Sequence, residues 1–434
     1  MTYWVGYTTL YREGGPKFVR AARTLGEDLR RAHPGEPVIV EAIESKAEFV
    51  QAMERITASG NPLRELHFVG HSGMYGPMFR TTKVPEQFSP HEWRSLAIPF
   101  AEKGEAFFHC CRSARWFAPF FARTFRVTAH GYHLYTTFSR SKSRFVWDPP
   151  GAKSEAPLYV VALPGKKSHG LAGSLLKYSH LMPTEKMKSF TPPSEEIDGS
   201  YDSVAALYDE AFADISVRGP EVAWIRDRLG FGRPRVLEIG AGNGALLASL
   251  AGHIESGLGV DASAGMVERA KARFGQVPGL SFAQIQGPSL PVEDASVDVV
   301  LSMLSWRYLD WDPMMTEIRR VLAPGGRLLV VDMVAVPVAA KELPALALSA
   351  VHTARGYVRN RRFRPALQRL VRDPRWAKML QYNPIRAEHE YRWYFESRFP
   401  GRKLEILTVA LSSRVVAFDT GPLPRGFSLP QSYP

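Results

Sequence analysis

The stretch "EAFFHCCRSAR", residues 105–115, holds the only two cysteines in 434 residues, Cys110 and Cys111. A disulfide between adjacent residues is strained, and no CxxC spacing accompanies the pair, so neither a bridge nor a metal centre is expected. What remains is a buried small side chain or a nucleophile. Cys111 ends an apolar run and precedes a helical pattern beginning near Arg112 to Trp116. A helix N-terminus there would lower the thiol pKa and favour thiolate. A thiolate that attacks a carbonyl also needs a base. "LRELHFVGHSGMYG" offers His71, just past a second apolar run. If both runs are parallel strands, His71 and Cys111 sit on the same edge of one sheet, where open α/β sheets carry their sites. Cys110 then points to the opposite face and serves packing. His67, His109, His130 and His133 lie in or beside strand patterns and read as structural histidines.

A second constellation is "RVLEIGAGNGALLASL". Gly240, Gly242 and Gly244, with Ala241 and Asn243 between them, stand where a strand turns into a helix. Glycines there let the backbone turn tightly beside a ligand, next to the free N–H groups of the helix start. Alone this signal is weak, and Ala245 allows a dinucleotide fingerprint. Context separates the two. Glu238 lies inside the strand, where a carboxylate can meet an amino group. Asp261 closes the next strand, seventeen residues beyond Gly244 and followed by Ala262, where it can take both hydroxyls of a ribose. "LPVEDASVDVVLSM" and the Pro324-Gly325-Gly326 turn of "EIRRVLAPGGRLLVVD" follow.

The elements that must hold these residues alternate. "TYWVGYTTL", "PVIVEAI", "LRELHFVG", "EAFFHC" and "FRVTAHGY" read as strands, separated by helical patterns that include "SPHEWRSLAIPFAEK". "RVLEIG", "SGLGVD", "SFAQIQ", "VDVVLSM" and "GRLLVVDMV" repeat the logic, and "LEILTVAL" with "RVVAFDT" closes as an antiparallel pair. Between the halves, residues 183–200 are poor in large apolar side chains and carry Pro192-Pro193, as a linker would. The expected class is α/β: two three-layer α/β/α domains, at 1–182 and 201–434, with residues 339–400 as a helical lid on the second.

Residues 200–335 resemble a class I S-adenosylmethionine-dependent methyltransferase of the type 11-like, small-molecule kind. "LEIGAGNG", "GVDAS", "LPVEDASVDVV" and "RVLAPGG" carry the resemblance in order, and "YDSVAALYDEAF" resembles the helix that leads into such domains. The resemblance implies a Rossmann-like sheet and S-adenosyl-L-methionine as cofactor. The glycine turn would lie beside the methionine portion, Asp261 on the ribose, and Gln286 with Gly287 near the adenine. The methyl acceptor, a small molecule or natural-product precursor, would lie near "LSWRYLDWD" and the lid. Trp306, Tyr308, Trp393 and Tyr394 either line that pocket or fill the core.

Residues 1 to about 165 resemble a caspase-like (clan CD, CHAT-like) cysteine peptidase domain, on "VGHSG" and "HCCRSA". The resemblance implies Cys111 as nucleophile, His71 as general base, and an oxyanion hole from the N–H groups of Cys111 and the Ser72-Gly73 turn. A protein or peptide would be its substrate. An inert pseudopeptidase fits the same residues.

Composition narrows the field. The run "TARGYVRNRRFRPALQRLVRDPRWAK", residues 353–378, has eight arginines, one lysine and one acid, within a formal charge of +12. It reads as a solvated helical face with Leu367, Leu370, Val371 and Trp376 buried, or as a surface for RNA. No apolar run reaches eighteen residues, so no membrane partner is expected. Two cysteines and no signal-peptide pattern point to the cytoplasm. Three functions follow: a small-molecule methyltransferase fused to a peptidase or pseudopeptidase; a protease regulated by a cofactor-sensing methyltransferase fold; an RNA or protein methyltransferase recruited by the basic run.

Overall fold

The structure, a computed structural model, describes residues 1–10, 15–80, 85–133, 135–137, 159–161, 187–192, 201–230, 232–336, 342–382, 385–410 and 413–427. The chain divides into two compact units, Met1–Glu196 with Pro430–Pro434, and Ile197–Leu429.

The first unit is built on strands β1 (Thr2–Tyr7), β2 (Val38–Ala42), β3 (Leu63–Val69), β4 (Phe100–His109), β5 (Thr128–Gly131) and β6 (Lys188–Phe190). Their order across the sheet is β6-β5-β4-β3-β1-β2. All pairings are parallel except β6 with β5. Helix α1 (Gly15–Ala32) packs its apolar stripe on one face through Phe18, Ala21, Ala22 and Leu29. The other face meets α2 (Lys46–Ala58), α3 (Pro90–Ser95) and α4 (Phe117–Phe125) over an aromatic core that includes Trp4, Phe49, Trp93 and Phe121. Ser45 caps α2 by accepting from Glu48 N, and Ser89 with Glu92 forms a capping box on α3.

Two expectations change here. "SPHEWRSLAIPFAEK" is helical only over Pro90–Ser95, and β4 already begins at Phe100. Pro99 disfavours helical backbone at Ile98, so the helix cannot run on. The supposed linker contributes β6, with Ser189 paired to His130 on β5. Residues 183–186 and 193–200 of that linker lie outside the described residues.

The second unit carries α5 (Ala205–Ala211), α6 (Gly219–Arg226), β7 (Arg235–Ile239), α7 (Ala245–Leu250), β8 (Ser256–Asp261), α8 (Ala264–Phe274), β9 (Leu280–Gln284), β10 (Val297–Met303), α9 (Trp311–Val321) and β11 (Leu322–Ala335). Then follow α10 (Leu343–Arg359), α11 (Phe363–Arg372), α12 (Pro374–Tyr382), α13 (Glu388–Arg398), β12 (Glu405–Val409) and β13 (Ser413–Asp419). The sheet order is β9-β8-β7-β10-β11-β13-β12. The first five strands are parallel and the last two pair antiparallel. The order reverses direction beside β7, so the crevice at the carboxyl ends of β7 and β10 is where this topology places a ligand.

The expected lid, 339–400, is too long at its C-terminal end. In α13, Tyr391, Tyr394 and Phe395 are fully buried with Trp306 and Trp311 in the main core. Aromatic residues spaced three and four apart make one continuous face, which the sheet covers. The helices that stand outside the core are α10 to α12. Residues 339–341, 383 and 384 of the expected lid are outside the described residues.

Candidate active site

The strand-to-helix turn after β7 is shaped by backbone sterics. Gly240, Gly242 and Gly244 have φ of +77°, +54° and +76°, a region that costs an L-residue roughly 1–2 kcal/mol. A Cβ on Gly240 would meet Ser305 at 2.2 Å, and one on Gly244 would meet Phe282 at 2.7 Å. At Gly242 a Cβ would meet nothing within 4 Å, because the turn opens onto a cavity of about 390 Å³. Asp261 holds the turn in place. Its Oδ2 accepts from Gly242 N at 2.8 Å and its Oδ1 from Ser263 N at 2.9 Å.

Glu238 lines the same cavity. It is 2% exposed, and Oε2 has no hydrogen-bond partner among the described residues. Burial, reinforced by the Asp261 charge, raises its pKa well above the usual carboxylate value. Burial also raises that of Asp261, against the N–H groups of Ser263 and Gly242. Two raised carboxyls facing one cavity make a site that favours a cation. The sign for stability follows from linkage. A carboxyl with a raised folded pKa stabilises the fold fully below its ordinary value of 4.5, and that contribution is lost as pH rises through the folded value. Without ligand, the stability of the second unit should therefore fall as pH rises above the ordinary carboxylate value more steeply in wild type than in Glu238→Gln. Urea melts across that range measure it, and parallel curves would remove the assigned shift.

The roof of the cavity comes from two distant segments. Tyr201, Tyr208 and Phe212, around α5, line it from above. Val204 and Ala211 pack on Ala366 and Leu370 of α11, with Tyr208 stacked on Trp376 of α12. Asp202 ties the segment down by accepting from Ser263 Oγ and from Gly265 N. On the opposite wall, Tyr308 meets Tyr201 hydroxyl to hydroxyl at 2.5 Å. Behind Tyr308 lies a buried ion pair, Arg307 Nη1 to Asp332 Oδ1 at 2.9 Å, completed by Tyr391 OH donating to Asp332 Oδ2 at 2.6 Å.

A family model described as "Methyltransferase domain" matches residues 237–330. The C-terminal unit carries a methyltransferase domain. The demethylmenaquinone methyltransferase of Beutenbergia cavernae is 35% identical over 145 residues, which is 32% of this chain and 58% of that protein. Phthiotriol/phenolphthiotriol dimycocerosates methyltransferase 1 of Mycobacterium ulcerans is 37% identical over 102 residues, 23% of this chain and 37% of that one. The chain thus spans about three fifths or less of the curated relatives it matches. A solved SAM-dependent methyltransferase of Aquifex aeolicus is 15% identical, with a TM-score of 0.33 over 52% of this chain and 100% of that one.

The cofactor of such a domain is S-adenosyl-L-methionine, and the residues present fit it. The partnerless oxygen of Glu238 suits an ammonium group, and Asp261 suits vicinal hydroxyls. The open turn at Gly242 leaves room for the chain between them. Of the residues singled out by sequence, Glu238, Gly240, Ala241, Gly242, Asn243, Asp261, Ala262 and Gly287 line the methyltransferase cavity. Gly244 instead packs behind the turn, against Phe282. Gln286 is exposed and absent from the lining; Ile285 and Pro288 take that wall. The backbone leaving β9 alternates its side chains, so Ile285 and Gln286 face opposite ways. Trp306 and Tyr394 are core residues, Trp393 packs partly buried against that core, and Tyr308 alone of the four lines the cavity. Asp202, Arg218 and Ser305 were not foreseen. Ser305 Oγ donates to Gly240 O at 2.9 Å, a contact with no sequence signature.

In the first unit, β3 and β4 run parallel with Val69 level with His109. His71 and Cys111 each lie two residues further, at the same sheet edge, and Ser72 Oγ donates to Cys111 O. The thiol itself meets Thr136: Sγ lies 3.3 Å from Thr136 Oγ1 and accepts from Thr136 N at 3.3 Å. No Cys111–His71 hydrogen bond occurs among the described residues; His71 stacks edge-on to Phe18 at 5.1 Å. The expected depression of the Cys111 pKa is corrected: burial raises it, against the Thr136 hydrogen bonds. The reason is local. Arg112 is left-handed at φ +57°, Ser113–Arg115 form a 3-10 turn, and α4 starts only at Phe117, too far on to aim its N–H groups at the sulfur. Cys110 is fully buried in the aromatic core, with its thiol pushed up to about 12. His67 pairs with Glu65 and His109, and His130 with Glu105 and Ser189. Among the described residues no group of His, Cys, Asp and Glu is arranged to hold a metal ion.

Proposed function

We propose that the protein transfers a methyl group from S-adenosyl-L-methionine to an apolar small-molecule acceptor. The observation that carries this reading is the pair of carboxylates, Asp261 and the partly unpartnered Glu238, facing one cavity across an open glycine turn. When bound, the cofactor supplies an electrophilic methyl group. Glu238 and Asp261 hold its two ends. Tyr201, Tyr308, Leu309 and Met314 form the outer wall, where an acceptor lies against aromatic and aliphatic surface. Alignment of donor and acceptor supplies most of the rate in such a site, so no general base is assigned. The names of the relatives, demethylmenaquinone and phthiotriol methyltransferases, support an acceptor of this apolar class. A rise in melting temperature with saturating S-adenosyl-L-methionine tests cofactor binding; no rise would overturn the reading.

We propose in addition that the first unit is a caspase-like cysteine peptidase domain held in a resting state. Support comes from the level strand ends of β3 and β4 and from the Ser72–Cys111 contact. In that state the thiol is neutral and bonded to Thr136. Activity requires His71 to replace Thr136 as its partner. A thiol-directed peptidyl probe should label Cys111 in wild type and about a hundredfold more slowly in His71→Ala. Equal rates in both proteins would leave ordinary thiol reactivity only.

A further inference from the structure

The helices outside the core of the second unit carry an apolar surface that stands exposed among the described residues. On α10, Leu346 and Ser349 face inward, with Ser349 Oγ accepting from Val409 N of β12 at 3.1 Å. The opposite side shows Leu343, Ala347, Leu348, Val351 and Ala354, all exposed and all apolar. Leu343 is 55% exposed, Leu348 60% and Val351 47%. On α11, Val371 is 54% exposed, which corrects the expectation that it is buried. Ala366 and Leu370 take the inner face instead, and Val371, the next residue, is turned about 100° from Leu370 onto the side that carries Arg364. Most of the large apolar side chains exposed in this unit thus lie between residues 343 and 371, with Ile406 as the exception among those described.

The charge that follows α10 in the chain is one-sided. Arg369 pairs with Glu210 and Arg375 with Asp373. Arg361, Arg362, Arg364, Arg372 and Lys378 are exposed and have no acidic partner among the described residues. Exposed apolar residues at helical spacing on α10, followed in the chain by arginines without acidic partners among the described residues, are the composition of a helix that lies in the plane of an anionic lipid surface. We propose that α10 and α11 form such a docking surface, with the aliphatic side of α10 in the headgroup boundary and the arginines of α11 on anionic headgroups.

The alternatives fit less well. Nucleic acid is held by phosphate contacts and by aromatic stacking, and the exposed residues described on α10 are aliphatic. A second copy of the chain docking through the same side would bring like charges face to face. The expectation of no membrane partner rested on spanning length. No helix among the described residues is long and apolar enough to cross a membrane, but a helix lying in the interface has no length requirement.

Co-sedimentation of the full chain with vesicles tests the proposal. Phosphatidylcholine vesicles containing phosphatidylglycerol should bring down the protein, pure phosphatidylcholine vesicles should not, and added salt should release it. Arg361→Ala, Arg364→Ala and Arg372→Ala together should weaken partition about a hundredfold, at about fivefold for each removed cation. Leu348→Glu with Val351→Glu should weaken it about tenfold or more. Both sets replace exposed side chains, and an unchanged melting curve confirms that the fold is intact. Equal binding to both vesicle types, or variants that bind like wild type, would overturn the proposal. So would a dimer dissolved by Leu348→Glu that vesicles do not compete away. RNA binding lost in the arginine variants while vesicle binding persists would also overturn it. The readout needs no S-adenosyl-L-methionine, so this surface and the methyl-transfer reading stand or fall separately.

Discussion

Asp261→Ala should abolish the rise in melting temperature that S-adenosyl-L-methionine gives the wild type. A ligand at a hundred times its dissociation constant stabilises the folded state by about 2.7 kcal/mol, several degrees for a unit of this size. The carboxylate has two tasks. Its oxygens accept from Gly242 N and Ser263 N, which fixes the turn and the start of α8. The lone pairs left over face the cavity, where a ribose would donate to them. Hydrogen bonds to a charged group contribute about 1.5–3 kcal/mol each. Losing those to ligand while loosening the turn should weaken affinity at least about a hundredfold, which removes the shift at ordinary cofactor concentrations. Differential scanning fluorimetry of wild type and variant, with and without cofactor, measures this. A variant that shifts as far as wild type would show that the cofactor is held elsewhere.

The largest loss of stability should come from Asp332→Ala, about 3–5 kcal/mol in the second unit. Asp332 is fully buried on β11 and accepts from Arg307 N at 2.8 Å, Arg307 Nη1 at 2.9 Å and Tyr391 OH at 2.6 Å. Removing it leaves a guanidinium, 8% exposed, with its principal counter-charge gone. Tyr391→Phe deletes one donor to the same carboxylate and should cost only about 1 kcal/mol. Urea unfolding followed by tryptophan fluorescence should show a lower midpoint with an unchanged slope for the C-terminal unit. A loss no larger for Asp332→Ala than for Tyr391→Phe would mean that the pair carries no special weight. The guanidinium also lies 4.8 Å from the centre of the Tyr308 ring. The alanine variant should therefore also bind cofactor less tightly, because one wall of the cavity is held from behind by this pair.

The parts of the site that sequence revealed are those whose chemistry is local. Three glycines with positive φ in five residues, and a carboxylate at the end of the next parallel strand, follow from short-range sterics and strand order. Gln286 was misplaced because one residue of alternation decides which side chain faces the cavity, and composition does not set that phase. Cys111 was given a helix N-terminus because the apolar pattern runs unbroken from Trp116. The left-handed Arg112 that separates the two is invisible to such a pattern. Ser305, Asp202 and the Arg307–Asp332–Tyr391 group join residues far apart in the chain, and only packing reveals them. Val371 was taken as buried on hydrophobicity alone, whereas the helix had already satisfied its inner face with Ala366 and Leu370.

The two-part roof over the cavity has a consequence for the order of synthesis. The cofactor turn and its carboxylates lie within residues 238–261, and strands β7 and β8 can pair as soon as both have left the ribosome. Tyr201 and Tyr208 emerge earlier still, yet Trp376 and Leu370, against which they rest, arrive more than a hundred residues later. A nascent chain therefore holds a floor without a ceiling for much of its translation. Only a chain extended past Trp376 can close the cavity from above.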